Sequence, residues 1–106
     1  RGSDVITRTP DRFTIDVDGA NAGHTAYRDR AGDRIFHHTE IGGEFGGRGL
    51  AGQLVEAAVR ETAEAGRTVV AVCPYVLKWL TENDSSGVTW RKPTPADLTW
   101  LKKELA

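Results

Sequence analysis

The chain has 106 residues, the length of one ordinary domain, and we expect a single domain over residues 4–106 after Arg1-Gly2-Ser3, which resembles a vector remnant. Hydrophobic residues make up 39% of the chain and charged residues 27%, as in soluble globular proteins. Fourteen basic and fifteen acidic side chains give a formal net charge of -1. The sequence therefore lacks the positive excess typical of nucleic-acid-binding domains.

Apolar runs and cysteine content point to a cytoplasmic protein. No apolar run approaches the roughly 20 residues that a membrane span needs, and no charged-then-apolar leader opens the chain. Cys73 is the only cysteine, which excludes an internal disulfide and suits a reducing compartment. We expect neither nucleic acid nor membrane as a partner.

The first half of the chain has the period-two pattern of strands. Residues 12–18 alternate strictly between apolar and polar side chains. A weaker strand is predicted at 22–28 and a third at 34–41, with glycine-containing turns between them. Three consecutive strands joined by short turns predict an antiparallel meander.

The period then changes to that of a helix. Residues 50–65 carry one apolar stripe, and Gly66 follows as a C-terminal cap. The stripe consists of Leu50, Leu54, Val55, Ala58, Val59 and Thr62. The unbroken small apolar run 69–73 is typical of a central parallel strand covered on both faces. Pro74 suits the first position of a short helix over 75–82.

The end of the chain predicts one more helix. Residues 84–93 are expected to be a linker, and 94–105 a helix capped by Thr94. Its predicted apolar stripe is Leu98, Leu101 and Leu105. The order is β-β-β-α-β-α-α, so the predicted fold class is α/β (α+β), an antiparallel β-meander plus a parallel strand pair with helices packed on the sheet.

A glycine-rich loop joins the third strand to the long helix. Six of the eleven residues from 42 to 52 are glycine, and Arg48 adds a positive charge. At a helix N-terminus, free amide groups and the helix dipole bind phosphate oxygens, and glycines let a ligand approach the backbone. The alternative is a mobile turn without a ligand. The spacing of residues 47–52 matches a dinucleotide fingerprint, but the preceding antiparallel meander argues against that fold.

Three separated motifs resemble a known family. They are His38-Thr39-Glu40-Ile41, Gly46-Gly47-Arg48-Gly49-Leu50-Ala51 and Val72-Cys73-Pro74-Tyr75. In this order and spacing they resemble the minimal, single-domain branch of the GNAT acetyltransferase superfamily, over roughly residues 13–83. One departure is Gly46, which stands where the family's phosphate loop has glutamine or arginine.

The resemblance implies an acetyl-CoA-dependent N-acetyltransferase that moves an acetyl group to an amine, either a small molecule or a protein, by direct attack or through an acetyl-cysteine. Acetyl-CoA or CoA is the cosubstrate, no metal is expected, and the chain is expected to be a monomer or a weak homodimer. The resemblance further implies that strands 34–41 and 69–73 splay apart around the pantetheine arm. The implied cofactor-binding residues are Ile41, Gly43, Gly46, Gly47, Arg48, Gly49, Leu50, Ala51 and Gly52.

Four residues are candidates for catalysis. Cys73 precedes the proline that opens a helix, a position that favours a thiolate, so it is a candidate nucleophile or acid; the alternative is a small core residue. The resemblance makes Tyr75 a candidate acid for the leaving thiolate, against a packing aromatic. Glu40 and His38 share one face of the third strand and are alternative general bases, against a solvated polar pair.

Other polar and aromatic residues have simpler explanations. Strict alternation puts His37 on the face opposite His38, and no second histidine has ligand spacing, so no metal site is expected. Glu44 is expected at the pocket mouth, Lys78 in solvent, and the three tryptophans in packing contacts. Rival interpretations are a non-catalytic acyl-CoA-binding module, a thiol protein centred on Cys73, and a protein that functions only through interactions.

Overall fold

The computed structural model describes residues 4–106 as one six-stranded sheet with three helices. The strands are β1 (Asp4–Thr9), β2 (Arg12–Val17), β3 (Ala20–Arg30), β4 (Asp33–Ile41), β5 (Thr68–Ala71) and β6 (Trp90–Arg91). The helices are α1 (Leu50–Glu64), α2 (Pro74–Glu82) and α3 (Pro95–Leu105), and a single 3-10 turn covers Gly43–Phe45. No helix in this part of the chain is long and apolar enough to cross a membrane.

The sheet confirms the predicted fold class. Its spatial order follows the chain, β1-β2-β3-β4-β5-β6, with antiparallel pairing from β1 to β4 and parallel pairing of β5 with both β4 and β6. The structure adds two strands to the prediction. β1 is an edge strand with no fully buried residue, and β6 is a two-residue strand inside the predicted linker 84–93. Both have weak sequence signals because neither carries a long buried face.

Helix α1 packs on one face of the sheet as predicted. The residues buried on it are the six of the predicted stripe, from Leu50 to Thr62. They join a core with the inward residues of β2 and β5 and with Val76 and Trp79 of α2. The surface of the sheet under α1 and α2 is called the α1 face below.

Helix α3 covers part of the opposite face. Leu101 packs there against Ile35 and Val70, with Trp100 at the border. β5 is therefore covered on both faces, as its unbroken apolar run predicts. The predicted stripe on α3 is right for Leu101 and wrong for Leu98 and Leu105, which are each 46% exposed. Instead the helix turns Asp97 inward, where arginines hold its carboxylate.

A β-bulge at His37 decides which side chains of β4 face which way. Ala26 of β3 pairs with His38 and the next residue, Tyr27, pairs with Phe36, so His37 is an extra residue on β4. A bulge of this kind shifts the alternation by one residue. Thr39 and Ile41 consequently share the α1 face with Phe36. His38 and Glu40 lie on the opposite face.

Candidate active site

The glycine-rich loop brings the N-terminus of α1 to the end of β4. Gly49 is the N-cap residue with φ 72°, and Gly47 has φ 79°. Both values are in the left-handed region, which only glycine adopts without strain. The cap makes no side-chain hydrogen bond and the first turn contains no acidic residue. The first amide groups of α1 and the positive end of its dipole are thus available to an anion.

A cavity of about 310 Å³ opens in front of this helix end. It is lined by Ile41, Phe45, Gly46, Gly47, Arg48, Gly49, Leu50, Ala51 and Tyr75. All of these except Phe45 were named from the sequence. Two predicted cofactor residues do not line the cavity: Gly43 begins the 3-10 turn, and Gly52 lies behind the rim. A Cβ at Gly52 would be 4.0 Å from the hydroxyl of Tyr75, so that hydroxyl lies over the first turn of α1.

Phe45 is the lining residue that sequence reasoning missed. Its ring packs toward Gly42 and against the hydrophobic core. The guanidinium carbon of Arg48 is 5.8 Å from the centroid of this ring, a cation–π distance. Phe45 is the only large apolar side chain between residues 42 and 49, and that was the available signal. Phe45 therefore gives the glycine-rich loop an apolar base.

Strands β4 and β5 part beside this cavity. Their pairing ends at Phe36 and Ala71, although β4 continues to Ile41. The carbonyl oxygen of Phe36 accepts hydrogen bonds from the amides of Val72 at 3.0 Å and Cys73 at 2.8 Å. These two bonds mark the point of divergence. Beyond it, the edge of β4 that faces away from β3 has no pairing with β5, which is the splayed arrangement that the resemblance implied.

Cys73 lies at this divergence, inside the protein. It is the N-cap residue of α2, its side chain belongs to the core, and only 4% of its surface is exposed. Its Sγ atom is 3.4 Å from Oγ1 of Thr39. Cys73 is not among the lining residues of the cavity, whereas Tyr75, two residues later, is 39% exposed and is one of them.

His38 and Glu40 meet on the opposite face of the sheet. Nε2 of His38 and Oε1 of Glu40 are 3.1 Å apart, and both side chains are exposed. The hydrogen bond to His38, followed by the nearby His24, lowers the pKa of the Glu40 carboxyl. Glu40 is therefore ionised at neutral pH and is a poor base by itself. The candidate residues form two groups, one around the cavity and one across the sheet.

The structure corrects two expectations about the histidines. The titratable groups near His37 are Arg28, His38, Arg12 and Asp11, and those near His24 are Arg12, Glu40, His38 and Asp11. His37 is the bulge residue, so it does not alternate away from His38. In addition, a second histidine does accompany His38. His24 of β3 pairs directly with Glu40, and the His24 and His38 ring centroids are 5.9 Å apart.

Burial lowers the pKa of both His24 and His37, because desolvation disfavours the charged imidazolium. The other residues singled out earlier lie outside the cavity lining. Glu44 is exposed in the 3-10 turn and Lys78 is exposed on α2. Of the tryptophans, Trp79 is in the core, Trp90 packs against it, and Trp100 lies under the guanidinium of Arg30.

Comparisons with known proteins identify the family of the chain. No curated protein sequence matches the chain. A crystal structure of ribosomal-protein-alanine N-acetyltransferase from Brucella melitensis biovar Abortus 2308 is similar, with a TM-score of 0.48 and 18% identity over 90% of this chain and 61% of that one. The chain thus spans about three-fifths of the length of that protein. The family model described as GCN5-related N-acetyl-transferase matches residues 12–87, and the chain belongs to this family of N-acetyltransferases.

Proposed function

We propose that the protein binds acetyl-CoA at the cavity and transfers the acetyl group to an amine. The single observation that carries the proposal is the N-terminus of α1, whose first amides have no side-chain cap and face the cavity. Gly47 and Gly49 adopt left-handed conformations in the loop before the helix, and Arg48 lies between them in the cavity lining. A pyrophosphate satisfies both the amides and the guanidinium. The lack of a glutamine or arginine at Gly46 is compensated by Arg48, which leaves the ring of Phe45 to bind phosphate.

The pantetheine arm would continue from the loop past Ile41 into the gap between β4 and β5. The free edge of β4 offers backbone donors and acceptors to its amide groups, as an added strand would. A pantetheine arm that passes through this gap would carry the acetyl group from the α1 face to the side of the sheet that holds His38 and Glu40. By this route, the residues around the cavity and the residues on the opposite face would take part in one reaction.

Direct transfer is the chemistry that these positions favour. The amine nitrogen attacks the thioester carbonyl carbon, the C–N bond forms, and the C–S bond breaks to release CoA as a thiolate. We assign the amine proton to His38, whose Nε2–H is held by the ionised Glu40 so that Nδ1 is free to accept it. Tyr75 supplies a proton to the thiolate and recovers one from solvent, since its side chain is partly exposed.

Calorimetric titration with acetyl-CoA and with CoA tests the binding half. Gly49→Asp is expected to abolish binding, because a carboxylate would occupy the anion site. Gly49→Asn is the isosteric neutral control and should weaken binding less. Gly19→Asp controls for backbone strain, because Gly19 also has a left-handed φ of 83° in open space but lies in the β2–β3 turn. Absence of binding by the unaltered chain would refute the proposal.

Turnover with a panel of amines tests the catalytic half. His38→Gln is expected to lower kcat by about 100-fold, the usual contribution of a general base, with the dissociation constant of acetyl-CoA unchanged. Glu40→Gln should lower kcat less, since Glu40 acts through His38. CoA binding without turnover of any amine, and no effect of either change, would instead identify a non-catalytic acyl-CoA-binding module.

A further inference from the structure

The exposed face of β3 and β4 gathers three side chains that are ligands for transition metals. His24, His38 and Glu40 each offer one ligand atom, and these atoms all lie within 4.8 Å of one another. The sheet register explains why they meet: His24 and Glu40 are directly paired across the strands, and His38 is two residues from Glu40 on the same face. His38 is paired with Ala26, whose small side chain leaves room for the two imidazole rings to approach.

We propose that His24, His38 and Glu40 form a binding site for a divalent transition-metal ion such as Zn²⁺, bridging β3 and β4. Two imidazoles and one carboxylate are the donor set of many zinc sites, with a fourth position left for water or another ligand. The same donors suit Cu²⁺ and Ni²⁺, whereas Mg²⁺ and Ca²⁺ require oxygen ligands.

The distances are compatible with such a site after small side-chain rotations. In a tetrahedral site with bonds of about 2.1 Å, neighbouring ligand atoms are about 3.4 Å apart. Nε2 of His38 and Oε1 of Glu40 are already 3.1 Å apart. Since the three ligand atoms lie within 4.8 Å of one another, no pair must approach by much more than an ångström. His38 and Glu40 are exposed and can rotate without disturbing the core.

No positively charged side chain competes for the carboxylate. In the part of the chain from residue 4 onward, the only ion-pair partner of Glu40 is His38 itself. An arginine or lysine paired with Glu40 would have to be displaced by a cation. Here a metal ion would replace only the hydrogen bond between two ligands that it holds together.

A bound metal would have a further consequence that rests on the proposed function. When Nε2 of His38 coordinates zinc, the imidazole proton is on Nδ1, so Nδ1 cannot accept the amine proton, and an occupied site and a His38 general base exclude one another. Zinc is then expected to inhibit acetyl transfer while leaving acetyl-CoA binding intact, because the cavity lies on the α1 face. Metal binding itself does not depend on this activity.

The test is a ZnCl₂ titration of the protein without a polyhistidine tag, followed by the ¹⁵N signals of the histidine rings. We expect one zinc per chain, with the largest shifts at the His24 and His38 rings, a smaller shift at His37, and no change on addition of MgCl₂. His37 is the internal control because it is adjacent in sequence and outside the cluster. No saturable binding, or shifts that leave His24 unaffected, would overturn the proposal.

Variants give the independent arm of the test. His24→Ala and Glu40→Gln are each expected to weaken zinc binding by at least about 10-fold, since even outer-sphere changes have effects of this size. His37→Asn should bind as the unaltered chain does. Circular dichroism checks that each variant is folded. Equal zinc affinity of folded His24→Ala and the unaltered protein would also overturn the proposal, whether or not acetyl-CoA binds.

Discussion

At the scale of single residues, the position of Cys73 bears on the route of the proposed acetyl transfer. Its thiol is buried in the core and contacts Thr39 where β4 and β5 diverge. A nucleophile must reach the thioester carbonyl, and this side chain is outside the cavity lining. A packing role at the base of the gap explains the same position without any covalent chemistry.

We therefore predict that Cys73→Ala retains turnover within a few-fold. The expected cost is in stability, about 1 kcal/mol, because a small buried group is removed from a packed site. Steady-state kinetics and thermal unfolding measure the two effects separately. Loss of turnover, together with an acetylated native protein detected by intact mass after incubation with acetyl-CoA, would establish the acetyl-cysteine route instead.

For Tyr75, in contrast to Cys73, we predict a loss of turnover on substitution. Its hydroxyl lines the cavity over the first turn of α1, and Tyr75→Phe removes only that group. We expect kcat to fall by about 10- to 100-fold, in the range of a general acid, with acetyl-CoA affinity nearly unchanged. Donors with a more acidic leaving thiol should be less affected by the change, because they need less protonation. An equal loss with all donors would contradict the role of an acid.

At the scale of elements, α3 is held to the sheet by a buried carboxylate. Asp97 is 3% exposed and forms a capping box with Thr94. Arg91 donates to it at 2.6 Å and Arg30 at 3.2 Å, and Arg91 also bonds Asp33. The hydrogen bond from Arg91 is the main cause that holds the pKa of Asp97 well below its ordinary value. This network, rather than the leucine pattern, sets the rotation of the helix.

Asp97→Ala is expected to destabilise the protein by about 2–3 kcal/mol, because the arginines lose a buried partner and the helix loses part of its cap. The figure is below that for fully buried pairs since Arg91 and Arg30 are each more than a third exposed. Asp97→Asn keeps an acceptor for the Thr94 amide and should lose less. Chemical denaturation compares the three proteins, and equal stability of all three would show that the network contributes nothing.

The depressed pKa of Asp97 also gives a pH dependence. The unfolded chain takes up a proton at the ordinary carboxyl pKa near 3.8, whereas the folded state takes it up only at lower pH. The stabilisation is therefore fully present above about pH 4 and is lost as the pH falls below it. Asp97→Asn should have a shallower loss of stability in this acidic window. Parallel curves for the two proteins would refute the assignment.

Residues in strong local patterns could be predicted from the sequence, whereas an orientation set by distant partners could not. The buried stripe of α1 and the glycine loop depend on spacing within one segment, so their residues could be named in advance. The orientation of α3 depends on Arg30 and Arg91, which are distant from Asp97 in the chain or outside the helix. Periodicity alone therefore predicts that Leu98 faces inward, whereas the structure buries Asp97.

At the scale of the whole molecule, one inserted residue places the candidate site residues on both faces of the sheet. The bulge at His37 directs Ile41 to the cavity and His38 and Glu40 to the other side. Strict alternation correctly predicts that His38 and Glu40 share one face of β4. It cannot predict the position of a bulge, nor that His24 of β3 lies beside these two residues. Such relations require the register of two strands, which a single sequence does not contain.

The last prediction concerns the two faces of the sheet, one packed against α1 and α2 and the other against α3. Leu101 of α3 packs on Ile35 and Val70, whereas the cavity is bounded by the loop, α1 and Tyr75 on the other face. We expect Leu101→Ala to lower the free energy of unfolding by about 2–4 kcal/mol, as for other buried leucines, without changing the dissociation constant of acetyl-CoA. Leu50→Ala, at the first turn of α1 and in the cavity lining, is the matched change and should lower both. Denaturation and calorimetry on the same samples separate the two quantities. A weakened affinity in folded Leu101→Ala would mean that α3 acts on the site through β5, and the two faces would then form one cooperative unit.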